Sequence, residues 1–365
     1  METVVLAAAS SSVDVGPALL LLLANNEHRE RPERPIIPSI RFVLSSKSDV
    51  NCVKDFRFER AAIYQLVELF ALPEYVITAY RDRLHRTEAL CILLYRTSYP
   101  RRNYDVLTKF GRSEAAISRI CTHLMIWLYE RFKELIYFQK TVCSKNIRRY
   151  AQAIHDKGAP MHNVFGFIDG TKNPICRPSP RPGHRENLQK QVYSGHKRVH
   201  CLNYQAVVVP DGLTIHFWRS IEGKRHDITL LREIKLTEYL EARESNFVDF
   251  LLYGDPAYGV QRFIVSGFKK AQLTAGEQAF NAAMSSVRES VEWNGHIDYK
   301  KKLKLRQSPI GKLVNVCMLL TNCHCCYYGG NEISKYFYLK PPSLAEYLDL
   351  ISKRKPSLLR AHEHV

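Results

Sequence analysis

The amino-acid sequence predicts an α/β protein in which a small all-helical region precedes a larger region of strands and helices. Two observations support this fold class. Apolar residues recur at helical spacing between about residues 55 and 155, whereas short apolar runs separated by turn residues appear from about residue 160. The chain has 365 residues, of which 45% are hydrophobic, so it can bury a sizeable core. We predict four segments: a flexible N-terminal tail (1–45), a helical, helix-turn-helix-like domain (46–158), an α/β domain (159–330) and a C-terminal tail (331–365).

The N-terminal tail is predicted from a short apolar run and a charged segment that follows it. Residues 18–24 read ALLLLLA, which is too short to span a bilayer, and no basic residue precedes them as in a signal peptide. Residues 27–35 read EHRERPERP, a composition that favours a flexible linker. The sequence therefore predicts no membrane association.

The helical region is predicted from apolar spacing and from residues that stop helices. Phe58, Ile63 and Leu66 recur at helical spacing before Pro73, and a second helix runs from a cap at Thr87 to Pro100.

A helix-turn-helix outline follows these two helices. A short helix, a turn at Gly111 and a long helix capped by Ser113 make up this outline. Ser118 and Arg119 would then lie where a recognition helix contacts DNA. An ordinary helical hairpin has the same pattern, so both interpretations stay open.

Strands are predicted after residue 160. The apolar run 164–169 is the first strand, and residues 199–221 form two strands around the turn at 210–212, Pro-Asp-Gly. Three further elements complete the pattern: a helix (226–242), an apolar strand that ends before Asp255 (247–254) and a helix (275–293).

The ten cysteines follow no disulfide pattern. Cys317, Cys323, Cys325 and Cys326 lie with His324 in the apolar stretch CMLLTNCHCC. Ligands so close in sequence are poorly spaced around one tetrahedral zinc ion, so we favour reduced cysteines in a buried helix over a zinc site.

The net charge of +17 favours a polyanionic partner. The chain has 53 Lys and Arg residues against 36 Asp and Glu residues. Such an excess is typical of proteins that bind DNA, RNA or an acidic membrane surface, although many basic proteins bind none of these. Charge alone leaves the partner open.

Two apolar strands each end in an aspartate, and a later helix carries a glutamate: Asp169, Asp255 and Glu292. If the strands are neighbours, their carboxylates emerge at the same end of the sheet, where they repel one another unless cations lie between them. Oxygen ligands favour Mg²⁺ or Mn²⁺, and two such ions about 3.5–4 Å apart stabilise the attacking and leaving oxygens at a phosphodiester. Each acid also has an ordinary interpretation. The aspartates could be turn residues, and Glu292 could pair with Arg288.

Five motifs in chain order resemble Harbinger-type transposases of the DDE superfamily. They are FIDGTKNPICRP, QKQVYSGHKRVHCLNYQAVV, GKRHDITLL, LLYGDPAYG and FNAAMSSVRESVEW, and the resemblance covers about residues 160–325. The upstream FGRSEAAISRI also resembles the helical region of that family. The resemblance implies an RNase H-like mixed sheet flanked by helices, which makes residues 159–330 a DDE catalytic domain.

The resemblance also implies that Asp169, Asp255 and Glu292 are both the catalytic residues and the ligands of two Mg²⁺ or Mn²⁺ ions. Glu289 lies one turn before Glu292, but Glu292 fits the R-x-x-V-E motif of the family, which begins here at Arg288. Downstream, the sequence WNGHID lacks a phenylalanine of the family pattern.

Basic residues that follow Asp169 are candidates for binding a DNA backbone. They are Arg185, Lys190, His196, Lys197 and Arg198. A solvated basic loop would have the same composition. His226 and Asp227 resemble an H-D pair of the family, with a role that stays open.

Together these observations indicate a divalent-metal-dependent DDE endonuclease or transposase-like protein that cleaves or transfers DNA strands. The resemblance implies action in the nucleus and a Myb-like DNA-binding partner protein. Action on two DNA ends would require a homodimer. The alternative is a domesticated, catalytically silent DNA- or protein-binding factor with the same fold.

Overall fold

A computed structural model describes residues 33, 35–99, 101–178, 187–223, 227–243, 245, 247–292 and 309–349. The side chains of residues 219–221, 227, 228, 291 and 292 lie outside this description. The chain divides into two compact units, residues 1–39 and 40–365. Every helix and strand named below belongs to the second unit. Among the described residues, no helix is both long and apolar enough to cross a membrane.

The first part of the larger unit is mostly helical. Its elements are α1 (Asp49–Phe56), α2 (Arg60–Leu69), β1 (Tyr75–Ile77), β2 (Arg83–His85), α3 (Arg86–Ser98), α4 (Asn103–Phe110), α5 (Glu114–Tyr137) and α6 (Lys140–Asp156). The predicted turn between α4 and α5 is present. Gly111 ends α4 in a left-handed conformation (φ 59°), and the Ser113 hydroxyl caps α5 by accepting a hydrogen bond from the Ala116 N–H.

The second part contains a six-stranded mixed sheet. Its elements are β3 (Val164–Pro174), α7 (Leu188–Val192), β4 (Tyr193–Ser194), β5 (Val199–Val208), β6 (Thr214–Glu222), α8 (Asp227–Ile234), α9 (Leu236–Glu241), β7 (Leu251–Gly254), β8 (Ile264–Ser266), α10 (Ala275–Glu292), α11 (Ile310–Tyr328), α12 (Glu332–Phe337) and α13 (Leu344–Leu348).

The central strand of the sheet is β3. It pairs antiparallel with β5 and parallel with β7, and β7 pairs parallel with β8. On the side away from β3, strand β5 pairs with β4 at Val199 and His200 and with β6 between Leu202 and Val208. This curled mixed sheet with flanking helices is consistent with the RNase H-like arrangement that the resemblance implies.

The helices and the sheet share one hydrophobic core. Buried residues of α5 and α11 join Phe165, Ile168 and Leu252 of the sheet in the largest cluster. At this contact Tyr129 of α5 stacks on Trp218 of β6, with ring centroids 6.0 Å apart. Residues 40–365 therefore pack as one unit, and the bounds of a separate helical domain (46–158) stay a prediction.

Three local features differ from the sequence predictions. His85, not Thr87, caps α3, because the helix begins two residues earlier than a cap at Thr87 would place it, and the His85 ring accepts a hydrogen bond from the Thr87 N–H. The helix predicted over 226–242 is split into α8 and α9 by Lys235, which has a left-handed backbone (φ 57°). The segment treated as a C-terminal tail includes α12 and α13, and Tyr347 of α13 is buried in the main core.

Candidate active site

Two neighbouring parallel strands bring Asp169, in the middle of β3, and Asp255, directly after β7, together. Strands β3 and β7 run parallel, and their last paired residues are Ile168 and Gly254. Asp169 and Asp255 directly follow this last pair, so the two residues lie side by side where β7 ends, although β3 does not end at Asp169 as predicted but continues along β5 to Pro174. The condition set by the sequence analysis, that the two strands be neighbours, is met.

The chain turns sharply after β7, and this turn fixes Asp255. The Asp255 carboxylate caps the 3-10 turn Pro256–Tyr258, because its Oδ1 accepts a hydrogen bond of 2.8 Å from the Ala257 N–H. Only a glycine fits before it without a shift of its neighbours. A Cβ atom on Gly254 would lie 2.9 Å from Ile168 Cγ2.

A single arginine from α10 lies between the two carboxylates. Nη2 of Arg288 is 3.1 Å from Asp169 Oδ1, and its Nη1 is 4.0 Å from Asp255 Oδ2. The Arg288 side chain is 21% exposed and each aspartate side chain is 47% exposed. One guanidinium reaches both residues because the carboxylates converge on it. Sequence spacing suggests Arg288 only as a partner of Glu292; its place at the start of the R-x-x-V-E motif was the available signal.

Packing of α10 on the sheet explains why Arg288 reaches the carboxylates. Met284 and Val287 of α10 are buried in one cluster with Phe167 and Tyr253. These aromatic residues lie two positions before Asp169 and Asp255, and side chains two apart in a strand share a face of the sheet. Arg288 follows Met284 by four residues and so lies on the same side of the helix. The helix therefore presents a cation on the face where the acids emerge.

Glu292 is the last residue of α10, and its side chain lies outside the described residues. Its position is one helical turn after Arg288, on the same side of the helix. The neighbouring candidate, Glu289, is exposed. Among the residues that the structure describes, no group of three His, Cys, Asp or Glu side chains could hold a metal ion.

The chemistry of the two aspartates fits a divalent cation. Carboxylate oxygens are hard ligands, which Mg²⁺ and Mn²⁺ prefer. The two carboxylates already share a cationic group, Arg288, so this edge of the sheet favours positive charge. Their partial exposure leaves them accessible to an ion from solvent.

Residues 168–322 match the family model of the DDE superfamily endonuclease. This DDE segment starts one residue before Asp169, contains Asp255 and all of α10, and ends inside α11. It spans less than half of the chain. The match supports a DDE transposase-like nuclease, for which DNA is the implied substrate. No curated protein and no solved structure matches the chain.

Several basic residues of the DDE segment lie beyond the carboxylate edge. His196, Lys197 and Arg198 are exposed in the turn between β4 and β5, and Lys190 is exposed in α7. Strand β5 runs from this turn to Ala206, the partner of Asp169. The seven steps along the strand from Val199 to Ala206 span about 24 Å at about 3.4 Å per residue. Arg185 and His226 lie outside the described residues, and so does the side chain of Asp227.

The two residues predicted on a recognition helix have different surroundings. Ser118 is exposed on α5. Arg119 makes a two-pronged ion pair with Asp82, with Nε–Oδ2 and Nη2–Oδ1 distances of 2.7 Å. The hydrogen bonds from Arg119 lower the pKa of Asp82 to about 2. Arg119 therefore ties α5 to the β1–β2 hairpin, whatever else it contacts.

That hairpin was missing from the sequence analysis. Val76 and Leu84 point into the core, while Tyr75, Ile77 and Arg83 are exposed on the other face. The β-forming residues of YVI and the alternation of polar and apolar residues in RLH were the available signals, but each strand has only three residues.

Proposed function

We propose that this chain is a divalent-metal-dependent DDE endonuclease or transposase-like protein that cleaves or transfers DNA strands. The observation that carries the proposal is the parallel register of β3 and β7, which brings Asp169 and Asp255 side by side, both in contact with Arg288. The match of residues 168–322 to the DDE superfamily endonuclease supports the same reading.

The proposed reaction is in-line attack at a phosphodiester. A bound pair of Mg²⁺ or Mn²⁺ ions would supply an activated water or 3′-hydroxyl and charge stabilisation at the leaving oxygen. Asp169 and Asp255, with Glu292 as the third acid, would hold the ions. No side chain needs to act as the nucleophile.

The basic residues beyond the active site would bind the DNA backbone. Phosphates of one DNA strand are about 3.4 Å apart along the helix axis, so the stretch of β5 from Val199 to Ala206 corresponds to about seven nucleotides. Lys197 and Arg198 at its far end would contact phosphates away from the scissile bond. In this proposal Lys190, His196 and Arg185 extend the same basic surface.

The finer assignment rests on the motif resemblance. We propose a Harbinger-type protein that acts in the nucleus, with a Myb-like DNA-binding partner and a homodimer for action on two DNA ends. In this assignment the exposed part of the helical region, including Ser118, contacts either DNA or that partner.

A nicking assay on supercoiled plasmid with Mn²⁺ tests the proposed function. Asp169→Asn and Asp255→Asn should each lower the nicking rate by more than the 10- to 100-fold typical for loss of an outer-sphere partner of a metal ligand. Asp249→Asn is the matched control, because this exposed acid lies before β7, at the opposite end of the strand from Asp255. An Asp169→Asn protein that nicks DNA as fast as the wild type would contradict the assignment.

The same assay addresses the alternative, a catalytically silent factor on this fold. Wild-type protein that binds duplex DNA but does not nick it with Mn²⁺ or Mg²⁺ would favour a DNA-binding factor. Retention of all three acids argues against that alternative.

A further inference from the structure

The Arg288 guanidinium occupies the space between the two acids on which the proposed function depends. It makes a charge-assisted hydrogen bond of 3.1 Å to Asp169 and an ion pair of 4.0 Å to Asp255. Two like charges side by side on adjacent strands repel each other, and a cation between them offsets that repulsion. Arg288 thus performs the same electrostatic task that a bound metal ion would perform.

The position of Arg288 is built into the fold. The helix that carries it is anchored by Met284 and Val287, which are 0% and 1% exposed. Ser290, two residues after Arg288, is also buried. With the backbone held on both sides, a change in the position of the guanidinium must come from rotation of its own side chain.

We propose that Arg288 competes with the divalent cation for Asp169 and Asp255 and thereby sets the metal affinity of the site. An incoming ion takes the carboxylate oxygens that the guanidinium now contacts, and Arg288 must release at least one of them. This inference rests on the proposed function, because it assumes that the two acids bind metal.

Exchange of one cation for the other is feasible at this site. Each aspartate side chain is 47% exposed, so an ion reaches the carboxylates from solvent while Arg288 is in place. Ion pairs with this much exposure are individually weak, worth about 1.5- to 5-fold in an equilibrium constant. Two such pairs should therefore weaken metal binding by about 2- to 30-fold without preventing it.

Calorimetric titration of the full-length protein with Mn²⁺ alone tests the proposal. Arg288→Ala should bind Mn²⁺ about 2- to 30-fold more tightly than the wild type, and Arg288→Lys, which keeps the charge, should bind closer to the wild type. Lys270→Ala is the matched control. It removes one positive charge and an ion pair of 2.6 Å to Glu277 on the same helix, away from the carboxylates, and should leave the affinity unchanged. Circular dichroism of each variant checks that the fold is retained.

A second measurement guards against a folding artefact. Saturating Mn²⁺ should raise the unfolding midpoint of Arg288→Ala more than that of the wild type, since the variant has lost its own cation between the acids.

Unchanged or weaker Mn²⁺ binding by a folded Arg288→Ala protein would overturn the competition. If the wild type binds Mn²⁺ and Asp169→Ala abolishes that binding, the proposed function stands while this inference fails. If neither the wild type nor Arg288→Ala binds Mn²⁺, both fail. If Arg288→Ala binds Mn²⁺ and the wild type does not, the competition is supported, because Arg288 then keeps the ion out of the wild-type site.

Discussion

Asparagine in place of Asp211 tests whether a buried carboxyl group makes the stability of this fold depend on pH. Asp211 lies in the turn between β5 and β6 and is 2% exposed. Its Oδ2 accepts a hydrogen bond of 2.5 Å from the Tyr150 hydroxyl, and its Oδ1 accepts one of 3.1 Å from the Leu213 N–H. Asparagine keeps an acceptor for Leu213 and provides a donor for the Tyr150 oxygen.

The size of the effect follows from the pKa of Asp211. Burial raises this pKa from 3.8 to about 6, although the hydrogen bonds from Tyr150 and Leu213 oppose the rise. A group whose pKa is higher in the folded chain favours folding in its protonated form. The contribution of Asp211 to the free energy of unfolding is complete below pH 3.8 and is lost as the pH rises through about 6. The difference between the two pKa values corresponds to about 3 kcal/mol.

Urea unfolding at several pH values between 4 and 7.5 measures this contribution. The free energy of unfolding of Asp211→Asn should increase by about 2 kcal/mol relative to the wild type between pH 4 and pH 7, because part of the full difference is already lost at pH 4. The control Asp249→Asn, at an exposed position, should show a nearly constant difference from the wild type. If the Asp211→Asn difference is the same at pH 4 and pH 7, the carboxyl is not destabilised by burial and the reasoning is wrong.

Three further predictions follow from the site and its surroundings. Glu292→Gln should lower the rate of Mn²⁺-dependent plasmid nicking at least about a hundredfold, while Glu289→Gln should leave that rate within about twofold of the wild type. The reverse result would identify Glu289 as the third acid. Replacing Lys197 and Arg198 by alanine should weaken binding of unrelated DNA duplexes alike and reduce the slope of log K against log salt by about 2, since each lost phosphate contact removes about 0.9. Arg119→Ala should lower the thermal unfolding midpoint, because the largely buried carboxylate of Asp82 loses both of its hydrogen bonds from Arg119. An unchanged midpoint would mean that this ion pair does not hold the β1–β2 hairpin on α5.

The sequence predicted those parts of the fold whose signals are local. The turn at Gly111, the cap at Ser113 and the β5–β6 hairpin all depend on a few adjacent residues, and all are present. The two aspartates could be found because each directly follows an apolar run, although β3 itself continues past Asp169 to Pro174. Lys235 was missed because nothing in its neighbours requires a left-handed residue within an amphipathic helix.

Non-local contacts set the limit of prediction at the candidate site. Arg288 is 119 residues from Asp169, and its contact with that residue depends on the register of β3 with β7 and on the packing of α10. Likewise, Arg119 looked like a residue free to contact DNA until the β1–β2 hairpin supplied Asp82 as its partner. The role of a charged side chain thus depends on partners that sequence spacing does not reveal.

The unequal lengths of β3 and its neighbours divide the central strand into two halves. Residues 164–168 lie along β7, and of these only Phe167 and Ile168 also pair with β5, whereas residues 169–174 pair with β5 and have no second partner among the described strands. In the second half, only the amides that point toward β5 should resist hydrogen–deuterium exchange, so slow and fast exchange should alternate along it. Asp169 stands at the boundary. It directly follows Phe167 and Ile168, the residues paired on both sides, while the rest of the strand after it is held by β5 alone.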